Sequence, residues 1–275
     1  MLTLLTIKTT VMRKYYLLFF TTVICFIVNG QSKFGSSYSL SIPQCEMGDN
    51  IRPVHSLNIS FLSSIKGLCN RFMVGAEIGL GNYAYVTKEQ DLRFSDGSGI
   101  RTDVIYSSNV FNAALVMRAN LLNKGRVIPY INAKGGLSHF FSNIVVEDPE
   151  DPSSCQALER KNIIKDNTFF AAGGGGIQLD MSLFAKKEKP GKYMIDIGIN
   201  KIKGGRLNYI NTKDIQSQVH TDPNSPAPAT PGKGEPLNIQ FINITTRTIH
   251  EHQMAELYNS PLRMLDIRIG MLFKI

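Results

Sequence analysis

A few residues in the chain are of types that could do chemistry. Ser138 and His139 are adjacent, with Glu147 and Asp166 further along. A serine, a histidine and a carboxylate are the parts of a hydrolytic site. Neighbouring residues of a strand point to opposite faces, however, and the chain holds no Gly-x-Ser-x-Gly elbow. His250 and His252 are two metal-ligand types at i, i+2 without a third. The run Gly173 to Gly176 has the composition of a phosphate loop, but no Lys-Ser/Thr follows it. Within a strand such a run permits close packing or a bend. The remaining group is larger: Arg71, Glu77, Arg118, Lys134, Asp180, Asp196, Asp266 and Arg268 are mixed in sign and scattered among Gly, Ser, Ala and Asn. They have no catalytic spacing, and no cofactor motif accompanies them.

The elements that position these residues are read from periodicity. The chain ends LDIRIGMLFKI, where Leu265, Ile267, Ile269, Met271, Phe273 and Ile275 alternate with Asp266, Arg268, Gly270, Leu272 and Lys274. Strict alternation means an extended strand. Seven earlier segments alternate in the same way. They centre on Phe34 to Ile42, Leu57 to Phe61, Phe72 to Leu80, Phe111 to Leu121, Ile131 to Leu137, Ile177 to Leu183 and Tyr193 to Ile199. None has a sustained helical period, so an all-β, eight-stranded antiparallel sheet is expected.

The links support a meander. Those at 64–68, 122–126 and 185–191 are short and contain Gly, whereas those at 44–52, 87–102, 147–166 and 203–260 are long and polar. Short and long links alternate along the chain, as in an up-and-down sheet with tight turns at one end and loops at the other. Closure into a barrel removes both exposed edges. In the last link, TDPNSPAPATPGKGEP is irregular by composition. The following LNIQFINITTRTI and the stretch from His250 to Leu257 would form a projecting hairpin or two further barrel strands. The hairpin, with eight barrel strands, is preferred because His250 and His252 would be costly inside a bilayer.

Alternation alone leaves open which face is inside. A soluble lipocalin-like barrel would bury the apolar face. Here the polar face is made of small residues with a few charges of both signs, which suits a narrow lumen where each charge needs a partner. The apolar face, with Leu265, Ile267, Ile269, Met271 and Phe273 in its last strand, suits a lipid-facing band with aromatic girdles. A sheet in lipid must close, so a transmembrane β-barrel is expected.

Composition agrees with export. Arg13 and Lys14 precede YYLLFFTTVICFIV, and Gly30-Gln31 offers a cleavage boundary, so residues 1–30 read as a secretory signal and 31–275 as the barrel domain, with Met12 an alternative start to Met1. The formal net charge of +8 falls to +5 without Lys8, Arg13 and Lys14, and no nucleic-acid-binding pattern accompanies it. Cys25 leaves with the signal; Cys45, Cys69 and Cys155 remain, and Cys45 and Cys155 fall in links at the same end, where a disulfide is conceivable. Asn58 and Asn243 match the glycosylation pattern, but the bacterial type of signal argues against its use.

The Gly-rich alternating strands, the signal ending at Gly30-Gln31 and the closing GMLFKI resemble the small outer-membrane barrels of Gram-negative bacteria, most of all the PorT-like outer-membrane β-barrel domain family, with OmpA-like and OmpX-like barrels more distant. The resemblance implies an outer-membrane location, short periplasmic turns and long extracellular loops. It also implies outer-membrane lipids as surroundings and the barrel assembly machinery as the insertion partner, although an aromatic last residue is replaced here by Ile275. It supplies no catalytic residues. The function expected is non-enzymatic: a structural, adhesive or surface-binding role through the long loops, with an unidentified extracellular ligand, no cofactor, no metal and no nucleic acid. The alternatives are an outer-membrane lipid hydrolase and a narrow porin-like channel for small solutes.

Overall fold

The computed structural model describes residues 31–65, 71–93, 99–122, 125–146, 159–184, 191–213, 235–242 and 249–275. The expected signal segment, Cys69, Cys155 and Asn243 lie outside them. The strands are β1 (Ser32–Pro43), β2 (Val54–Ser64), β3 (Phe72–Arg93), β4 (Gly99–Asn120), β5 (Val127–Val146), β6 (Glu159–Asp180), β7 (Tyr193–Ile210), β8 (Glu235–Ile242) and β9 (Ile249–Lys274). A short helix, α1 (Glu46–Asn50), follows β1. No helix among the described residues is long and apolar enough to cross a membrane.

From β1 to β7 each strand pairs antiparallel with the next, β7 pairs with β9, and β9 pairs with β1, which closes an eight-stranded ring. Strand β8 pairs only with the upper part of β9, from Glu235 opposite Leu257 to Ile242 opposite Ile249. It stands outside the ring, as the hairpin alternative required. Following backbone partners from Leu265 through Lys201, Gly173, Ala133, Met117, Val74, Ser63 and Ser32 returns to β9 at Ile275, ten residues further on. That stagger tilts the strands by roughly 40° and leaves an interior just wide enough for side chains to fill.

Alternation sends the apolar residues outward. Leu57, Ile78, Leu80, Leu115, Met117, Ile131, Phe169, Ile199 and Ile269 are all exposed. Aromatic groups mark both margins of this band. At the turn end Tyr193 meets Phe273 edge to face, and toward the loop end Tyr38 hydrogen-bonds His55 at 2.5 Å. Gly125 and Gly191 occupy the short links with φ of 142° and 78°, a conformation that disfavours side chains.

The structure extends the strands beyond the alternating segments. Strands β3 and β4 run to Arg93 and from Gly99, and β6 begins at Glu159, so much of the expected 87–102 and 147–166 links is paired sheet. Strand β7 likewise continues to Ile210, opposite Leu257. These upper portions, such as Thr87-Lys88-Glu89-Gln90-Asp91, lack alternation because they project beyond the apolar band and have no greasy face to mark them.

Candidate functional site

The interior is filled in three layers. At the turn end Leu62, Met73 and Val116 form one apolar cluster, and Ile128, Met194 and Leu272 another. The middle layer is charged. Arg118 on β4 donates to both carboxylate oxygens of Asp196 on β7, at 3.4 and 3.1 Å. Arg268 on β9 lies 3.5 Å from Asp196, an ion pair without hydrogen-bond geometry, and donates to Glu77 on β3 at 2.5 Å. Lys134 on β5 pairs with the other oxygen of Glu77. The result is one chain of alternating sign, Arg118–Asp196–Arg268–Glu77–Lys134, tying five strands together across the lumen. All five side chains are buried or nearly so. Burial of this kind is tolerable only because each charge has an opposite neighbour.

Asp266 accepts from Ser41 Oγ at 2.8 Å and from Asn200 at 3.3 Å. The structure moves two of the eight expected lumen charges. Arg71 is exposed in the turn before β3, one residue short of the strand that would aim it inward. Asp180 is buried, but its carboxylate accepts from the amides of Ser182 and Gly191, at 2.9 and 2.6 Å, and so closes the β6–β7 turn instead of joining the charge chain. Other members were missed. Lys33 donates to Gln178 at 2.9 Å, and Tyr130 lies under the Arg118 guanidinium, 4.0 Å from its carbon. Both share the inward phase of their strands, which was the available signal.

The third layer is an apolar plug at the loop end, built from Met47, Ile51, Val54, Tyr83, Val110, Phe140, Leu207, Tyr209 and Leu262 among others. Two bulges make it. The register slips between Asn82 and Ala84 in β3, and between Lys203 and Arg206 in β7. A bulge inverts the phase of the residues beyond it, so Leu207 and Tyr209 turn inward while Arg206 stays exposed. Helix α1 folds over the mouth and buries Met47. It is held by Asn50 donating to Tyr209 Oη at 3.3 Å and by the Thr212 amide on the Asn50 carbonyl at 2.9 Å. Between plug and charge chain remains a cavity of about 30 Å³ bordered by Ser41, Glu77, Lys134, Asn200 and Asp266, room for about two waters.

The residues that suggested hydrolysis are separated by the sheet. Ser138 points into the lumen and donates to Asn112 at 2.6 Å, while His139 points outward against Asn167 and Phe141. Ser138→Ala is expected to cost about 1 kcal/mol through the lost buried hydrogen bond. His139→Ala should change the urea midpoint by no more than about 0.5 kcal/mol equivalent. The side chains of His250 and His252 lie outside the described residues, as does Cys155. No metal-binding group of three His, Cys, Asp or Glu occurs among the described residues.

These features define a closed eight-stranded up-and-down β-barrel with a filled, self-neutralised interior and an apolar exterior. No protein-family model and no curated relative matches the sequence. Among solved structures the chain is similar to Neisserial surface protein A, at 8% identity with a TM-score of 0.37 over 89% of this chain and 96% of that one. It is similar too to Ail, the attachment invasion locus protein of Yersinia pestis, at 10% identity and TM-score 0.31 over 90% and 99%. A third is the outer membrane protease OmpT from Escherichia coli, at 8% identity and TM-score 0.29 over 90% and 97%. Likenesses this distant do not bear on function.

Proposed function

We propose that the chain is an integral outer-membrane barrel protein of a Gram-negative bacterium, of the small type to which PorT-like proteins belong. In this reading it is a non-enzymatic structural, adhesive or surface-binding component acting through its loop end. The observation that carries the reading is the combination of an apolar outer band with a lumen occluded three times along its length. An exterior this apolar is unsuited to water, and a lumen filled by a plug, a charge chain and two basal clusters offers solutes no path. What extends beyond the band is the loop end, with α1 over the mouth and the β8–β9 hairpin rising from the rim.

The test is to isolate outer membranes, compare boiled and unboiled protein by gel mobility, and record conductance of the purified protein in planar bilayers. A mobility shift in the outer-membrane fraction without stepwise conductance is expected. Recovery as a soluble periplasmic protein would overturn the membrane reading, and steady single-channel currents would overturn the non-transport role.

A further inference from the structure

The two ends of the barrel differ sharply in charge. The links at the turn end, 65–71, 121–126 and 181–192, contain eight Lys or Arg and one acidic residue, Glu188. Those at the loop end, 44–53, 94–98, 147–158, 211–234 and 243–248, contain four basic and nine acidic residues. Solubility needs charge but not its segregation; a field of one sign at one end steers an oppositely charged partner to it.

Strand phase fixes where these cations stand. The basal apolar side chains Met73, Ile128, Met194 and Leu272 pack inside the lumen. Two residues nearer the turns, and so on the same face, come Arg71, Arg126, Lys192 and Lys274, all exposed. Lys33 joins them from β1 as the backbone partner of Lys274. The basic groups therefore surround the lower mouth, beneath an apolar floor, and Lys192 lies at its edge, 5.0 Å over the Tyr193 ring. The outward positions beside them hold Phe72, Val127, Tyr193 and Phe273, which face lipid. Among the described residues no carboxylate forms an ion pair with Arg126 or Lys274. The carboxylate of Asp180, whose amide bonds the Arg126 carbonyl, is taken up by the amides of Ser182 and Gly191.

We infer that this basic mouth docks an acidic segment of a periplasmic polypeptide, with Asp or Glu carboxylates on Arg71, Arg126, Lys192 and Lys274. The inference rests on the membrane reading above, which puts the turn end in the periplasm, and adds a partner there to the role of the loop end. Eight strands about 4.8 Å apart at this tilt make a mouth roughly 16 Å across. A small anion would reach one or two of these cations. A run of about five extended residues, at roughly 3.3 Å each, spans the mouth and reaches cations on both sides of it. Lipid phosphates are ranged outside the wall, beside Phe72 and Tyr193, and not beneath the lumen. A second copy inserted the same way would bring up an identical basic end and be repelled.

The full chain would be folded into phosphatidylcholine nanodiscs, checked for heat-modifiability, and titrated against fluorescein-labelled hexaglutamate with binding followed by anisotropy. Saturable binding at low salt is expected, and its loss at about 1 M salt, where screening reaches only about 3 Å. Affinity should fall roughly fivefold in Arg126→Gln/Lys274→Gln, the scale of losing two exposed ion pairs. Lys203→Gln/Arg263→Gln, at the loop end, should bind as the parent does. No saturable binding to the parent, equal binding by all three proteins, or a loss confined to the loop-end variant would each overturn the docking. Equal peptide binding together with phosphatidylglycerol retention that Arg126→Gln/Lys274→Gln alone loses would assign the cations to headgroups instead. Failure of the parent chain to give a heat-modifiable barrel would overturn the membrane reading on which the docking stands.

Discussion

Glu77→Ala is expected to be among the most damaging single substitutions in the barrel. Glu77 is the one carboxylate shared by Lys134 and Arg268. Its removal would leave Lys134 buried without its carboxylate and Arg268 with only the longer contact to Asp196. Breaking a buried ion pair from one side typically costs about 3–5 kcal/mol, because the surviving charge stays desolvated. The expected readout is a large drop in the urea midpoint of the folded barrel in vesicles. Glu77→Ala combined with Lys134→Met should recover part of the loss, since it removes one of the two stranded cations. If the single variant unfolded at the parent's midpoint, the charge chain would not be a stabilising element, and water would have to be solvating those cations within the lumen.

The second large effect is expected at the plug. Phe140 and Tyr209 are among the largest fully buried side chains, and Tyr209 Oη also hydrogen-bonds Ser260 at 2.8 Å. Truncating either to alanine should cost about 3–5 kcal/mol by the lost transfer energy and the cavity left behind. Conductance should nonetheless stay absent in Phe140→Ala, because the charge chain and the basal clusters occlude the lumen below. Conductance appearing in that variant would place the barrier in the plug alone. Conductance appearing only when Glu77 is removed as well would place it in both layers. The measurement is a planar-bilayer recording of the refolded variants, paired with their urea midpoints.

Much of this molecule is legible from its sequence. The period of two, read in eight segments from Phe34 to Ile275, determined the all-β class, the meander and the division into an apolar and a polar face. It did so because a strand has only two faces, and a membrane-sized apolar face leaves an unbroken mark on alternate residues. The same rule places Glu77, Arg118, Lys134, Asp196, Asp266 and Arg268 on the inward face.

Three things needed the tertiary structure. The pairing of Glu77 with Lys134 and Arg268 joins strands far apart in sequence, and which charges meet depends on a ten-residue stagger that no local pattern encodes. Part of the plug escaped because the bulge in β7 inverts the phase, so Leu207 and Tyr209 turn inward where strict alternation keeps them outside. Asp180 and Arg71 left the expected lumen set because they stand where strand geometry ends and turn amides or solvent take over. Periodicity reports which face a residue occupies; only closure of the ring decides what it meets there.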